Sequence, residues 1–144
     1  MSINEELREL TKELTVLYVE DESNTRSQIS QILQLFFKEV LVGINGEEAL
    51  EIYKKNHTDL IMTDLTMPKM DGLTMIKEIR KTNSAQHIIV LTAHNSSENL
   101  METIDLQLDG FLLKPIKMDK LITLLFKVAK IITLEQKNIN NEDI

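Results

Sequence analysis

The chain has no cysteine, and no apolar run near the roughly 20 residues that a membrane helix needs. The first absence excludes disulfide frameworks and thiolate metal centres and favours a cytoplasmic home. The second excludes a spanning helix, and the acidic, polar start Met1-Ser2-Ile3-Asn4-Glu5-Glu6 is no secretory signal. Positive charge is also scarce: 16 Lys and Arg stand against 23 Asp and Glu, a formal net charge of -7. So acidic a surface suits neither nucleic acid nor anionic lipid, and neither is expected as a direct partner. No internal repeat is found. What remains is 144 residues with 42% hydrophobic and 27% charged content, the make-up of one soluble globular domain with an ordinary core.

Strand-like and helix-like segments alternate along that domain. Short apolar runs over 16–19, 40–44, 60–63, 88–91 and 111–113 read as strands. Between them, Ile29, Ile32, Leu33, Phe36 and Phe37 recur at helical spacing over 26–37, and Ala49, Leu50 and Tyr53 mark a short helix over 47–55. Leu73, Ile76 and Ile79 mark a third helix. Serines and an asparagine cap a fourth over 97–107, and a last helix covers 118–134. Five strand–helix units predict an α/β fold, a doubly wound five-stranded parallel sheet with helices on both faces, in the flavodoxin-like order 2-1-3-4-5. Residues 15–134 form this unit. Residues 1–14 are read as a helical extension that docks through Leu7, Leu10 and Leu14, and 135–144 as a polar, Asn-rich frayed helix end or linker stub. That helical tail favours a piece cut from a longer protein.

Open sheets of this kind bind ligands at the carboxyl ends of their strands, where the strand order reverses. The first strand ends in Glu20-Asp21-Glu22 and the third in Asp64, so the order places these acids side by side. Clustered acids repel and raise one another's pKa unless a cation is present. With only oxygen ligands and no His or Cys among them, a hard ion such as Mg²⁺ is the natural candidate. Three consecutive acids also argue against a flavin, whose phosphate needs a Ser/Thr/Gly-rich loop there. The fourth strand ends at Thr92, a hydroxyl donor, and the fifth at Lys114-Pro115, whose ammonium reaches a phosphoryl oxygen. Taken singly, each has a plainer reading: Asp64 and Thr92 as helix caps, Lys114 as a surface lysine. Four successive strand ends offering an acid pair, an Asp, a Thr and a Lys make a site.

Over roughly residues 15–134 the chain resembles the receiver domains of bacterial two-component response regulators. Val19-Glu20-Asp21-Glu22 resembles their acidic pair, and Asp64 with Met67-Pro68-Lys69-Met70-Asp71-Gly72 their phosphoacceptor segment. Thr92-Ala93 resembles their switch Thr with its small neighbour, and Lys114-Pro115 their Lys-Pro with a cis peptide. Phe111 falls where they carry a switch aromatic, although an aromatic in a fifth strand also reads simply as core. Glu20 departs from the commoner Asp, which the family tolerates where that position meets the metal through water. Ile116 stands where regulators with winged-helix effectors more often carry Phe, so the output stays open.

The resemblance implies a phosphoacceptor signalling domain that catalyses only its own phosphorylation and dephosphorylation. Asp64 takes a phosphoryl group from a sensor histidine kinase or phosphotransfer protein. Mg²⁺ is held by Asp21, Asp64 and the Thr66 backbone carbonyl, with Glu20 behind a water. Thr66 and His94 tune the lifetime of the product, though His94 also reads as an exposed loop residue. Thr92 and Phe111 switch together. The fourth helix, fifth strand and fifth helix of the domain, with Met101, Ile104, Asp105, Met118 and Leu121, then meet an effector domain or protein. One rival is a phosphatase of the haloacid-dehalogenase kind, which needs a second Asp two residues past the nucleophile; Thr66 stands there. Another is a pseudo-receiver that only docks partners, disfavoured by the complete set Glu20, Asp21, Asp64, Thr92 and Lys114.

Overall fold

In the computed structural model, which describes residues 1–65, 67, 69–93 and 106–142, the expected alternation is present. The elements are α1 (Ile3–Thr11), β1 (Thr15–Val19), α2 (Ser23–Gln34), β2 (Glu39–Gly43), α3 (Gly46–Lys55), β3 (Leu60–Asp64), α4 (Gly72–Thr82), β4 (His87–Thr92), β5 (Gly110–Leu113) and α5 (Met118–Glu142). All strands pair in parallel in the order 2-1-3-4-5. The helix expected over 97–107 lies outside the described residues except for Leu106 and Gln107.

Side chains that alternate along each strand feed two cores. Val16, Tyr18, Leu60, Met62, Ile89 and Leu91 face α1, α2 and α5, while Leu17, Val19, Ile61, Ile88 and Val90 face α3 and α4. Residues of β1 and β3 are buried throughout, which is why both read as unbroken apolar runs. The edge strand β5 differs: Leu112 is buried, but Phe111 and Leu113 are 41% and 49% exposed. A reading of Phe111 as core is therefore wrong. It pairs with Val90, and lies on the same sheet face as Thr92.

Three helices differ from expectation at their ends. The helix expected over 26–37 begins at Ser23, because the Glu22 carboxylate accepts from the backbone N–H groups of Asn24 and Thr25 and caps it earlier. It ends at Gln34, leaving Phe36 and Phe37 to reach the core from the turn before β2. The first helix is Ile3–Thr11, capped by Ser2, with Leu14 buried in the turn that follows. The last helix runs on to Glu142, through residues expected to fray.

The extra length of α5 is fastened at the amino edge of the sheet. Glu135 Oε2 lies 2.8 Å from His87 Nε2, and Gln136 Nε2 donates to Asp59 Oδ1 at 3.3 Å. His87 Nδ1 meets Asp109 Oδ1 at 3.0 Å, and Asp59 also accepts from the Thr15 N–H at 2.9 Å. α1 lies along α5, with Leu7 fully buried beside the cluster that holds Val128, Ala129 and Ile132. Thr11 Oγ1 donates to the carbonyl of Phe36 at 2.9 Å and ties α1 to the end of α2.

Candidate functional site

Glu20 leaves β1 still bound to the sheet, its N–H donating to the Gly43 carbonyl at 3.1 Å. Beyond it the chain turns into α2 and has no strand to pair with. The first turn of α2 takes over. Glu22 caps that helix, accepting from the Thr25 hydroxyl and from Thr25 N at 2.6 Å, and these bonds hold its pKa below the usual carboxylate range. Arg26 Nη1 reaches back to the carbonyls of Glu20, at 3.0 Å, and Asp21, at 3.2 Å.

Asp64 is the last residue of β3 and only 8% exposed. The chain then doubles back to start α4, whose cap Asp71 accepts from Thr74 N at 2.8 Å. Gly72 N donates to the Leu65 carbonyl at 2.8 Å, and the approach is so close that a Cβ on Gly72 would sit 2.0 Å from the Asp64 carbonyl oxygen. Glycine alone fits there. Lys69 and Met70 both take left-handed backbone angles, φ 58° and 70°, strained for residues with a Cβ. The carbonyl of Met70 accepts from Gly46 N at 3.0 Å, which fastens this reversal to the start of α3.

The opposite wall comes from β4 and β5. Lys114, just past β5 and joined to Pro115 by a cis peptide bond, donates its N–H to the Thr92 carbonyl at 2.8 Å. Its ammonium lies 2.7 Å from Glu20 Oε1 and 2.7 Å from Asp64 Oδ2. One cation thus bridges the ends of β1 and β3. Thr92 is 1% exposed, and its hydroxyl meets the Ala93 carbonyl at 3.3 Å.

The electrostatics follow from this packing. Glu20 is wholly buried, and burial pushes its pKa up; the hydrogen bond and charge of Lys114 draw it part of the way back. Burial opposes the charge on Lys114, but its bonds to Asp64 and Glu20 outweigh that and hold its pKa above the ordinary lysine value. The hydroxyl of Tyr18, beneath Glu20 on β1, is buried with no hydrogen-bond partner, and burial beside those carboxylates keeps it neutral.

Carboxylate oxygens of Glu20, Asp21 and Asp64 all lie within 4.8 Å of one another. Such an oxygen-only set suits a hard divalent cation that keeps several waters. The predicted residues Glu20, Asp21, Asp64, Thr92 and Lys114 therefore converge on one edge. Phe111 lies apart on the exposed face of β5, while Thr66 and His94 fall outside the described residues. Arg26 was not anticipated. The only signal for it is a cation five residues after Asp21, in the first turn of a helix.

The comparisons with known proteins agree with this geometry. The family model described as "Response regulator receiver domain" matches residues 16–126. The chemotaxis protein CheY of Bacillus subtilis is 33% identical over 108 residues, covering 74% of this chain and 90% of that protein. The regulatory protein AtoC of Escherichia coli is 31% identical over 106 residues, but only 23% of its length is covered. Among solved structures, the N-terminal domain of an uncharacterized protein from Wolinella succinogenes superposes with a TM-score of 0.80 at 31% identity, covering 85% of this chain and 98% of that one. The acid-lined strand edge and these likenesses have one meaning: the chain belongs to the response regulator receiver domain family.

Proposed function

We propose that Asp64 is the residue of this receiver that carries the phosphoryl group, taken from a phosphohistidine on a partner kinase or phosphotransfer protein. The observation that carries the reading is the pair of 2.7 Å contacts joining Lys114 to Asp64 and Glu20. A strand-end carboxylate so held is oriented with one oxygen on the lysine. In the transfer, the phosphorus–nitrogen bond of the donor imidazole breaks as a bond forms from phosphorus to an Asp64 oxygen. The imidazole nitrogen keeps the electron pair and takes a proton. Little covalent work falls to the protein, so catalysis rests on positioning and charge neutralisation. Lys114 supplies an ammonium to a phosphoryl oxygen, and Thr92 supplies a hydroxyl. Asp21, Asp64 and Glu20, with the Thr66 carbonyl, would hold Mg²⁺, which would offset the charge of the incoming dianion. The three acids and Lys114 sum to about -2, so the approach is repulsive until a divalent cation balances it.

Receiver domains work with histidine kinases and effector domains. Here the face that answers is the one around β5, where Phe111 and Leu113 stand exposed, together with the start of α5. The phosphoryl group draws Thr92 toward it, and Phe111 moves inward on the same sheet face. The absence of cysteine and of a spanning helix among the described residues fits action in the cytoplasm. Product turnover is limited to the domain's own aspartyl phosphate.

The test is to treat the protein and its Asp64→Asn variant with acetyl phosphate, with and without Mg²⁺, and weigh each intact. One phosphoryl gain on the wild type, dependent on Mg²⁺ and absent from the variant, is the expected result. Equal labelling of the variant on another carboxylate would overturn the assignment. Beryllofluoride, a stable mimic of the phosphoryl group, should shift backbone amide signals in β5 as well as those beside Asp64.

A further inference from the structure

Resting on that reading of the site, we infer that Arg26 is a positioning residue for the acid pair: it fixes the backbone of Glu20 and Asp21 so that Asp21 faces Asp64. The loop from Glu20 to Glu22 leaves the sheet after one ladder bond, Glu20 N to the Gly43 carbonyl. The carbonyls of Glu20 and Asp21 come next. Both are taken by one nitrogen of Arg26, at 3.0 and 3.2 Å. A cationic donor to two carbonyls is stronger than a neutral one and sets their direction. Glu22 is occupied in capping α2, so the loop is held at its far end too. Asp21, the exposed member of the acid triad, has no side-chain hydrogen bond among the described residues, so its backbone aims it. Arg26 makes none of its described bonds to a carboxylate, so the guanidinium acts through the chain and not as a counter-ion in the site.

That distinction gives the proposal a sign. A guanidinium near a divalent-cation site repels the cation, so its charge alone predicts that removing Arg26 tightens Mg²⁺ binding. Positioning predicts the reverse. Groups that orient metal ligands typically cost 10- to 100-fold in affinity when removed. We expect Arg26→Gln to weaken Mg²⁺ binding roughly tenfold while its thermal midpoint in EDTA stays within a few degrees of wild type. Arg26→Lys, which keeps a cationic donor, should recover part of the loss.

The experiment titrates Mg²⁺ into wild type, Arg26→Gln, Arg26→Lys and Asp21→Asn, following amide signals of the loop after β1 and the thermal midpoint. Asp21→Asn should abolish binding, which shows that the titration reads this site. Weaker binding by the Gln variant with a folded domain supports the positioning role. Unchanged or tighter binding overturns it, as does a loss equal in the Gln and Lys variants. A wild type that does not bind Mg²⁺ removes the metal site itself, and the positioning role with it; retained binding in Asp21→Asn does the same for Asp21.

Discussion

Replacing Lys114 by Met should expose what the bridging ammonium does for the resting protein. At 2.7 Å and an effective dielectric of 20, each of its two ion contacts is worth about 6 kcal/mol of gross attraction. Most of that is cancelled by the cost of taking the charges out of water. Removing one partner of a buried pair costs about 3–5 kcal/mol, because the other charge is left unpaired. Lys114 keeps 26% side-chain exposure, so the low end applies, about 3 kcal/mol. The cost also has a pH dependence. Burial already raises the pKa of Glu20, and without Lys114 it rises further. A carboxyl with a raised pKa in the folded state takes up a proton there before it does so unfolded, so the variant regains stability as pH falls. Urea unfolding in EDTA should show a deficit of about 3 kcal/mol at pH 8 that shrinks toward pH 5. Mg²⁺ at pH 8 should restore more stability to the variant than to wild type. A Lys114→Met protein within about 0.5 kcal/mol of wild type at pH 8 would refute the reasoning, since that is the range of an ordinary surface substitution.

Leu7→Ala should cost about 3 kcal/mol in urea unfolding, as for other fully buried leucines, because α1 folds with the core; a change under about 1 kcal/mol would show α1 to be a separable appendage. Leu112→Ala should cost about 2–4 kcal/mol, and Phe111→Ala, larger but exposed, less than about 1 kcal/mol; the reverse order would mean that Phe111 is packed inside at rest. Asp109, aided by Glu135 and opposed by burial, raises the His87 pKa to about 9, so its stabilisation is complete below the ordinary value near 6.5 and is lost as pH rises through about 9. Glu135→Gln should lower the imidazole pKa by roughly a unit in an NMR titration, and an unchanged value would deny the contact with α5.

The site was legible because every member but one stands at a strand end, and strand order alone places strand ends together. Asp64, Thr92 and Lys114 needed no tertiary knowledge beyond the order 2-1-3-4-5. Arg26 was not legible, because it binds backbone carbonyls, which carry no trace in side-chain spacing. The early start of α2 was missed for a related reason: a Glu cap is less usual than Ser, Thr, Asp or Asn. The length of α5 beyond Leu134 depends on contacts from Glu135 and Gln136 to residues 48 and 77 positions away, which periodicity does not register.

The pairing of α1 with the far part of α5 governs where this chain tolerates cutting. A fragment trimmed to 16–126 would lose Leu7 and Leu14 from one end and Val128, Ala129 and Ile132 from the other, all of them buried in the same cluster. What it would uncover is the back of the sheet, with Tyr18 and its solitary hydroxyl underneath. Such a fragment keeps every acid of the site and Lys114, yet presents a sticky flank to its neighbours in solution. The contacts that close this flank run from Ser2, which caps α1, to Gln136, which touches Asp59.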